Sequence, residues 1–363
     1  MSAISQSAGS TPELARAMEG AAEAFARGDL PEAERRYRAA LALAPAHGGA
    51  WQGLAEVLAA RGAASEAAAA RAKANEAAVI LAATTATALL GTAMAARAPA
   101  ILRQALQTHP AVAVGHRALC EVLRRMGDLA GALEAARRCL ELDPGDGRAA
   151  RLAASLQGRR LPTPRDLAAP APLWIVDDFL PAALHAEVLR FALAHRQALQ
   201  PAATVGAAQP DWRRSQVDRT PDFAAPVLAL VCREAEAAVG RFGLEPFEMA
   251  SRDIQFTAHN DGDYYKAHRD WAPQTTHHRR LTFVYYLHRQ PRGFAGGGLR
   301  LFDTPQEGEG FFDQAYATVL PLDNRLVVFP SYVWHEVEKI VCPGRLYEDS
   351  RFTLNGWLGV APT

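Results

Sequence analysis

The sequence predicts a two-domain α+β chain: a helical repeat array, then a domain of short strands with supporting helices. The chain has 363 residues, more than one ordinary domain requires. Residues 11–158 are rich in Ala, Leu, Arg and Glu and poor in aromatics, a composition that favours helix. Residues 173–361 hold most of the aromatics and several β-branched runs, which favour strands. Between them stands "GRRLPTPRDLAAPAP", Gly158–Pro172. Its prolines fit neither a helix interior nor a central strand, so residues 159–172 are read as a linker.

The first domain repeats itself. "GDLPEAERRYRAALALAP" (Gly28–Pro45) matches "GDLAGALEAARRCLELDP" (Gly127–Pro144). The two copies stand three units of roughly 33 residues apart, and Gly62 and Pro110 mark intermediate copies at a step of about 34. Gly28 and Gly127 suit the tight turn between paired helices. Ala33 and Ala132 are small where two helices approach, and Pro45 and Pro144 end the second helix of a pair. The stretch Ala77–Ala96 carries no charge and is long enough to span a bilayer. It is mainly Ala, Thr and Gly, however, and is read as a buried repeat helix.

The second domain opens with "PLWIVDDFL", a strand-like run. "PAALHAEVLRFALAHRQAL" follows with helical spacing and proline at its start, and "DFAAPVLALVCREAEAAVGRFG" is a second helix ending at glycine. Seven short strands come next: "RDIQFTAH", "DYYKAHRD", "RRLTFVYYLHR", "GGLRLFD", "ATVLPLDNRLVVFP", "VWHEVEKIV" and "SRFTLNGWLGV". Short strands with turn signals between them predict a closed or sandwich-like β fold, with the two helices on one outer face.

Charge and cysteine content narrow the function. Lys+Arg and Asp+Glu are both 39, so bulk attraction to nucleic acid or to an anionic membrane is not expected. Cys120, Cys139, Cys232 and Cys342 are scattered, which implies neither a disulfide framework nor a zinc or iron–sulfur site. With no signal-peptide pattern at the N-terminus, a cytoplasmic location is expected. The Ala- and Arg-rich composition fits a bacterial, GC-rich genome.

Candidate chemistry centres on "DYYKAHRDW". Alternate residues of a strand share a face, so His268 and Asp270 can aim at one point. His335 in "PSYVWHEVEK" supplies a third ligand. Two histidines and one carboxylate make a facial triad that holds Fe(II) and leaves positions open for substrate and O₂. His277 and His278 lie in a turn and are read as solvated. Trp271 and Trp334 flank the ligands, as packing or as cleft wall. Arg213 and Arg214 lie in a polar loop that either stays exposed or covers the site as a lid.

Four segments carry a family resemblance: "FTAHNDGDYYKAHRDW", "RRLTFVYYLHRQPRGFAGGGLRLFD", "VVFPSYVWHEV" and "DSRFTLNGWL". In type and order they resemble the Fe(II)/2-oxoglutarate-dependent dioxygenases, above all the prolyl 4-hydroxylase-like branch. The N-terminal half resembles tetratricopeptide repeats (TPR), four units with a degenerate one around residues 77–110. The first resemblance implies a double-stranded β-helix (jelly roll) and Fe(II), 2-oxoglutarate and O₂ as cofactor and co-substrates, with ascorbate as an auxiliary. It implies hydroxylation of an unactivated C–H bond as 2-oxoglutarate is converted to succinate. Arg351 matches the arginine that anchors the far carboxylate of 2-oxoglutarate, with Arg345 the second candidate. Thr353, Tyr286, Val284 and Leu299 match other residues of that pocket, and His259 stands near where many relatives have a tyrosine. The expected substrate is a prolyl or other side chain of a peptide captured by a TPR groove. The alternatives are a small metabolite or free amino acid, and a non-catalytic TPR adaptor or sensor.

Overall fold

The computed structural model describes residues 12–165, 167–202, 212–219, 224–305 and 310–362. The chain divides into two compact units, Met1–Val122 with Arg138–Pro144, and Leu123–Arg137 with Gly145–Thr363.

The first part of the chain is helical: α1 (Pro12–Ala26), α2 (Leu30–Leu43), α3 (Gly48–Ala60), α4 (Ala64–Leu89), α5 (Ala98–Thr108), α6 (Ala113–Met126), α7 (Leu129–Leu142) and α8 (Gly147–Leu156). Within the first unit α1 packs on α2, α2 on α3, α3 on α4 and α4 on α5. Local sequence sets the helix ends. The Asp29 carboxylate accepts the Glu32 N–H and caps α2, and His47 Nδ1 accepts the Ala50 N–H and caps α3. Gly28 and Gly62 each take φ +80°, the left-handed turn that leads one helix into the next. Ala33, Ala40, Ala50 and Ala55 are fully buried, so the helix backbones come close. Gly53 of α3 gives Tyr37 of α2 its space, since a Cβ there would collide with the phenol ring.

The stretch from 77 to 96 is not the buried helix its composition predicted. α4 ends at Leu89, only Val79 and Ala86 of its second half are buried, and Leu81 is 70% exposed. Among the described residues no helix is long and apolar enough to cross a membrane.

The second unit adds α9 (Ala182–Ala194), α10 (Ala225–Arg241) and sixteen strands. The strands are β1 (Ala168–Ala169), β2 (Trp174–Val176), β3 (Gln200–Pro201), β4 (Arg213–Arg214), β5 (Gln216–Asp218), β6 (Ser251–His259), β7 (Tyr264–His268) and β8 (Arg279–Leu287). After them come β9 (Ala295–Gly296), β10 (Leu299–Phe302), β11 (Thr304–Pro305), β12 (Tyr316–Val319), β13 (Arg325–Pro330), β14 (His335–Val337), β15 (Ile340–Val341) and β16 (Arg351–Gly359). A seven-stranded sheet runs β2-β13-β8-β16-β6-β5-β3 and a five-stranded sheet β12-β10-β14-β7-β4, with antiparallel pairing. Two expected strands are broken. "ATVLPLDNRLVVFP" becomes β12 and β13 in different sheets, because Asn324 turns the chain at φ +57°. "VWHEVEKIV" becomes β14 and β15.

The two faces of the large sheet have opposite chemistry. Phe256, Phe283, Tyr285, Phe352, Leu354 and Leu358 pack under Val188 and Ala192 of α9 and Val227, Val231, Ala235 and Val239 of α10. The other face meets the smaller sheet. Tyr286, Val327 and Phe329 there pack against Leu299, Leu301, Ala317 and Val319, closing one end of the sandwich. Arg351, Thr353, Asn355 and Trp357 alternate along β16 on this inner face. Across from Arg351, Thr353 and Asn355 on β6 stand His259, Thr257 and Gln255. Polar side chains at buried sheet positions mark this end as the place where a ligand is held rather than a core sealed.

Within the second unit, Arg124 from the end of α6 donates both Nη groups to the Asp303 carboxylate at 2.8 Å, and Arg148 of α8 adds a third bond at 2.9 Å. Arg124 and Asp303 are both 0% exposed.

Candidate active site

A cavity of about 530 Å³ opens at the polar end of the sandwich. Its walls include His268, Asp270, His335, Arg351, Thr353, Val284, Leu299 and His259.

His268 ends β7 and His335 begins β14, and the register of these strands places the two residues directly opposite each other. Their rings lie 4.1 Å apart between centroids. Asp270 lies just past the end of β7 in a bend, not in the strand as the alternation argument assumed. It still converges, because its N–H donates to Ser331 O and its Oδ2 accepts from Thr282 Oγ1 at 2.8 Å. Asp270 Oδ1 is 3.7 Å from His268 Nε2, and Oδ2 is 3.4 Å from His335 Nε2. One donor atom from each residue falls within 4.8 Å of the others.

Both histidines are oriented alike. His268 Nδ1 donates to Lys266 O at 2.8 Å and His335 Nδ1 to Val333 O at 2.9 Å, so each Nε2 carries the lone pair. Tyr265 stacks on His268 at 3.5 Å and Phe329 meets His335 edge-on. Burial, reinforced by the neighbouring His335, holds the His268 pKa down at about 3, so it is neutral. Burial alone would raise the Asp270 carboxyl, but His335 and His268 beside it and the Thr282 hydroxyl outweigh that and keep it ionised. Two imidazoles that each turn Nε2 inward and one carboxylate, each braced by a second hydrogen bond, fit a divalent iron.

Arg351 stands at the inner end of the cavity and is 2% exposed. Its Nε donates to Gly297 O at 2.8 Å, and its Nη1 lies 3.4 Å from His259 Nδ1. Nη2 has no partner, and no ion pair forms between Arg351 and a carboxylate among the described residues. The guanidinium lies 4.9 Å from the Tyr286 ring centre, and the Tyr286 hydroxyl is likewise buried without a partner. His259 is held well below the ordinary histidine range by burial, then by the charges of Arg351 and Arg213, and so is neutral. Because Nδ1 faces a donor, the proton sits on Nε2, which also lacks a partner. Arg351 Nη2 and His259 Nε2 are thus buried donors without an acceptor. A buried unpaired guanidinium costs several kcal/mol, which a bound carboxylate offsets. These residues fit the far carboxylate of 2-oxoglutarate.

Thr353, Val284 and Leu299 line the wall beside Arg351, whereas Tyr286 sits behind it in the core. Arg345 is elsewhere: its side chain is 77% exposed and bonds Asp261. Neither Trp271 nor Trp334 lines the cavity; Trp212 and Trp357 do. His277 and His278 stay outside it. Arg213 is a wall residue of β4, and the part of its loop before Trp212 lies outside the described residues. Gln255, Thr257, Asn355, Trp357, Arg279 and Thr282 were not anticipated. For most of these a signal existed, since polar residues at every second position of β6 and β16 interrupt otherwise apolar strands.

Comparison with known proteins places this site. Residues 254–359 match the family model described as the 2OG-Fe(II) oxygenase superfamily, and the match holds all three ligand candidates and Arg351. An uncharacterized PKHD-type hydroxylase from Synechocystis sp. is 36% identical over 151 residues, 40% of this chain and 50% of the relative. The chain therefore spans half the length of the curated relative it matches. A prolyl-4-hydroxylase structure from Pseudomonas putida shares 24% identity over 53% of this chain and 94% of its own, with TM-score 0.38. A prolyl hydroxylase from Trichoplax adhaerens, solved with a hypoxia inducible factor peptide fragment, shares 20% identity over 52% of this chain and 83% of its own, with TM-score 0.41.

Proposed function

We propose that the chain is an Fe(II)/2-oxoglutarate-dependent dioxygenase that hydroxylates a prolyl side chain of a peptide on a double-stranded β-helix. The observation that carries this reading is the buried, unpaired Arg351 in the same cavity as the His268–Asp270–His335 cluster. His268 and His335 each present Nε2 to the metal, and Asp270 gives it one carboxylate oxygen. Arg351 holds the far carboxylate of 2-oxoglutarate, with His259 as a further donor and Tyr286 backing the guanidinium from the core, while Val284, Leu299 and Thr353 wall it from water. Iron, when bound, activates O₂ at the expense of 2-oxoglutarate, and ascorbate keeps it ferrous. The protein's part is to position the C–H bond and exclude water.

In this proposal the N-terminal helices form a TPR array that captures the peptide. Supporting it, the first unit carries an open apolar cavity of about 840 Å³ lined by Leu43, Pro45, Ala74, Leu81 and His109. Leu43 and Leu81 there are 50% and 70% exposed. The four cysteines are buried as thiols, which agrees with a reducing cytoplasm.

The test is release of succinate from 2-oxoglutarate by the full chain with Fe(II), alone and with proline peptides. Turnover requires iron, and H268A reduces it at least ~100-fold. No iron binding and no turnover in the wild-type protein would sink the reading, and undiminished turnover in H268A would sink the ligand assignment.

A further inference from the structure

Arginine dominates the charge of the cavity. Arg213, Arg219, Arg269, Arg279 and Arg351 line it, against the single carboxylate of Asp270. Under the oxygenase reading, on which this inference rests, Fe(II) and the 2-oxoglutarate dianion cancel each other's charge. Loading both engages Arg351 and leaves the charge of Arg213 and Arg279 in place.

Two of the other arginines are built into the wall. Arg213 is paired through β4 to β7 opposite Tyr265. Its guanidinium lies 4.9 Å from the Tyr265 ring centre, and that ring stacks on His268. Its Nε is fixed by Ser215 Oγ at 3.0 Å. Arg279 begins β8, lies 3.6 Å from the Trp357 ring centre, and has a buried Nε without a partner. Trp357 stands across from Thr282, the residue that bonds Asp270. Neither arginine forms an ion pair with an acid among the described residues. Ring stacking steadies a cation but does not neutralise it. Two cations held rigid beside the metal ligands, with their forks unspent, are a receptor for an anion.

We infer that the prime substrate carries a carboxylate next to the C–H bond that is hydroxylated, and that Arg213 and Arg279 bind it. In a peptide this is an Asp or Glu beside the target residue; in a free amino acid it is the α-carboxylate. The same chemistry recognises either source.

Calorimetry on the full chain loaded with Mn(II) and 2-oxoglutarate tests this with two matched pairs. One pair is a proline peptide with Glu or Gln beside the proline; the other is L-proline and L-prolinamide. In at least one pair the carboxylate partner binds about tenfold tighter, and added NaCl shrinks the gap. The pair that responds identifies the source. R279E reverses the peptide preference toward Lys beside the proline. Should that variant not fold, R279Q brings the Glu-to-Gln ratio close to one. Equal binding within both pairs, absence of measurable binding included, overturns the inference, as does tighter binding of the amides. Succinate release without any prime substrate reports the oxygenase reading separately, so its loss is distinguishable from a failed charge preference.

Discussion

Two buried arginines in the second unit show opposite uses of the same side chain. Arg124 is 0% exposed, and both of its Nη groups bond the equally buried Asp303, with Arg148 closing the cluster. Arg351 is 2% exposed, and no carboxylate among the described residues pairs with its guanidinium. The charge of the first cation is met by a carboxylate of the chain itself and contributes to holding the fold. The second is left incomplete at the end of a cavity, and its electrostatic cost is the reserve from which ligand binding draws. Burial alone would not tell them apart; the accounting of partners does.

Urea unfolding of the metal-free protein breaks the comparison most directly. D303A strands Arg124 in the interior and destabilises the second unit by about 3–5 kcal/mol. R351M, which removes a cation with no carboxylate partner, leaves stability unchanged or higher. A large loss in R351M, or none in D303A, would reverse the roles assigned to them. A smaller effect is expected at the metal ligands. T282V removes the hydrogen bond to Asp270 and weakens iron binding ~10–100-fold, read by metal titration.

The smallest effect is in acid. Burial raises the Asp303 carboxyl, but Arg124 and then Arg148 outweigh it and hold it below the ordinary aspartate range. A carboxyl depressed by folding gives its full stability above its unfolded pKa of about 3.9 and loses it as pH falls through the folded value. Wild-type stability therefore drops more steeply below pH ~4 than that of D303N, as a pH series of thermal melts will show.

How far the sequence reached depended on the range of the interactions. The cluster of His268, Asp270 and His335 was legible because few residue types bind metals and a distant histidine in a predicted strand completed an otherwise common His-x-Asp pair. The turn glycines Gly28 and Gly62 were legible because a left-handed turn is a local demand. The preference for Arg351 over Arg345 came from the resemblance of the final strand, and in the structure Arg351 lines the cavity with Thr353, Asn355 and Trp357 while Arg345 does not. The ion pair of Arg124 with Asp303 was not readable, because its partners are 179 residues apart and neither pattern nor propensity links them. Arg213 was read only as a loop residue, exposed or on a lid, and Arg279 was missed, for a related reason. One reaches the cavity through the pairing of β4 with β7, the other by stacking across the sheet on Trp357, and both depend on register rather than on neighbouring sequence.

The central claim is that Arg351 is an unfinished ion pair awaiting 2-oxoglutarate. Thermal melts of the wild type and R351M, each with saturating Mn(II), with and without 2-oxoglutarate at about 100 times its wild-type Kd, test it. The wild-type Tm rises by roughly 5–10 °C on adding 2-oxoglutarate, and that of R351M moves by no more than ~1–2 °C. An equal rise in R351M, or no rise in the wild type, would contradict the account.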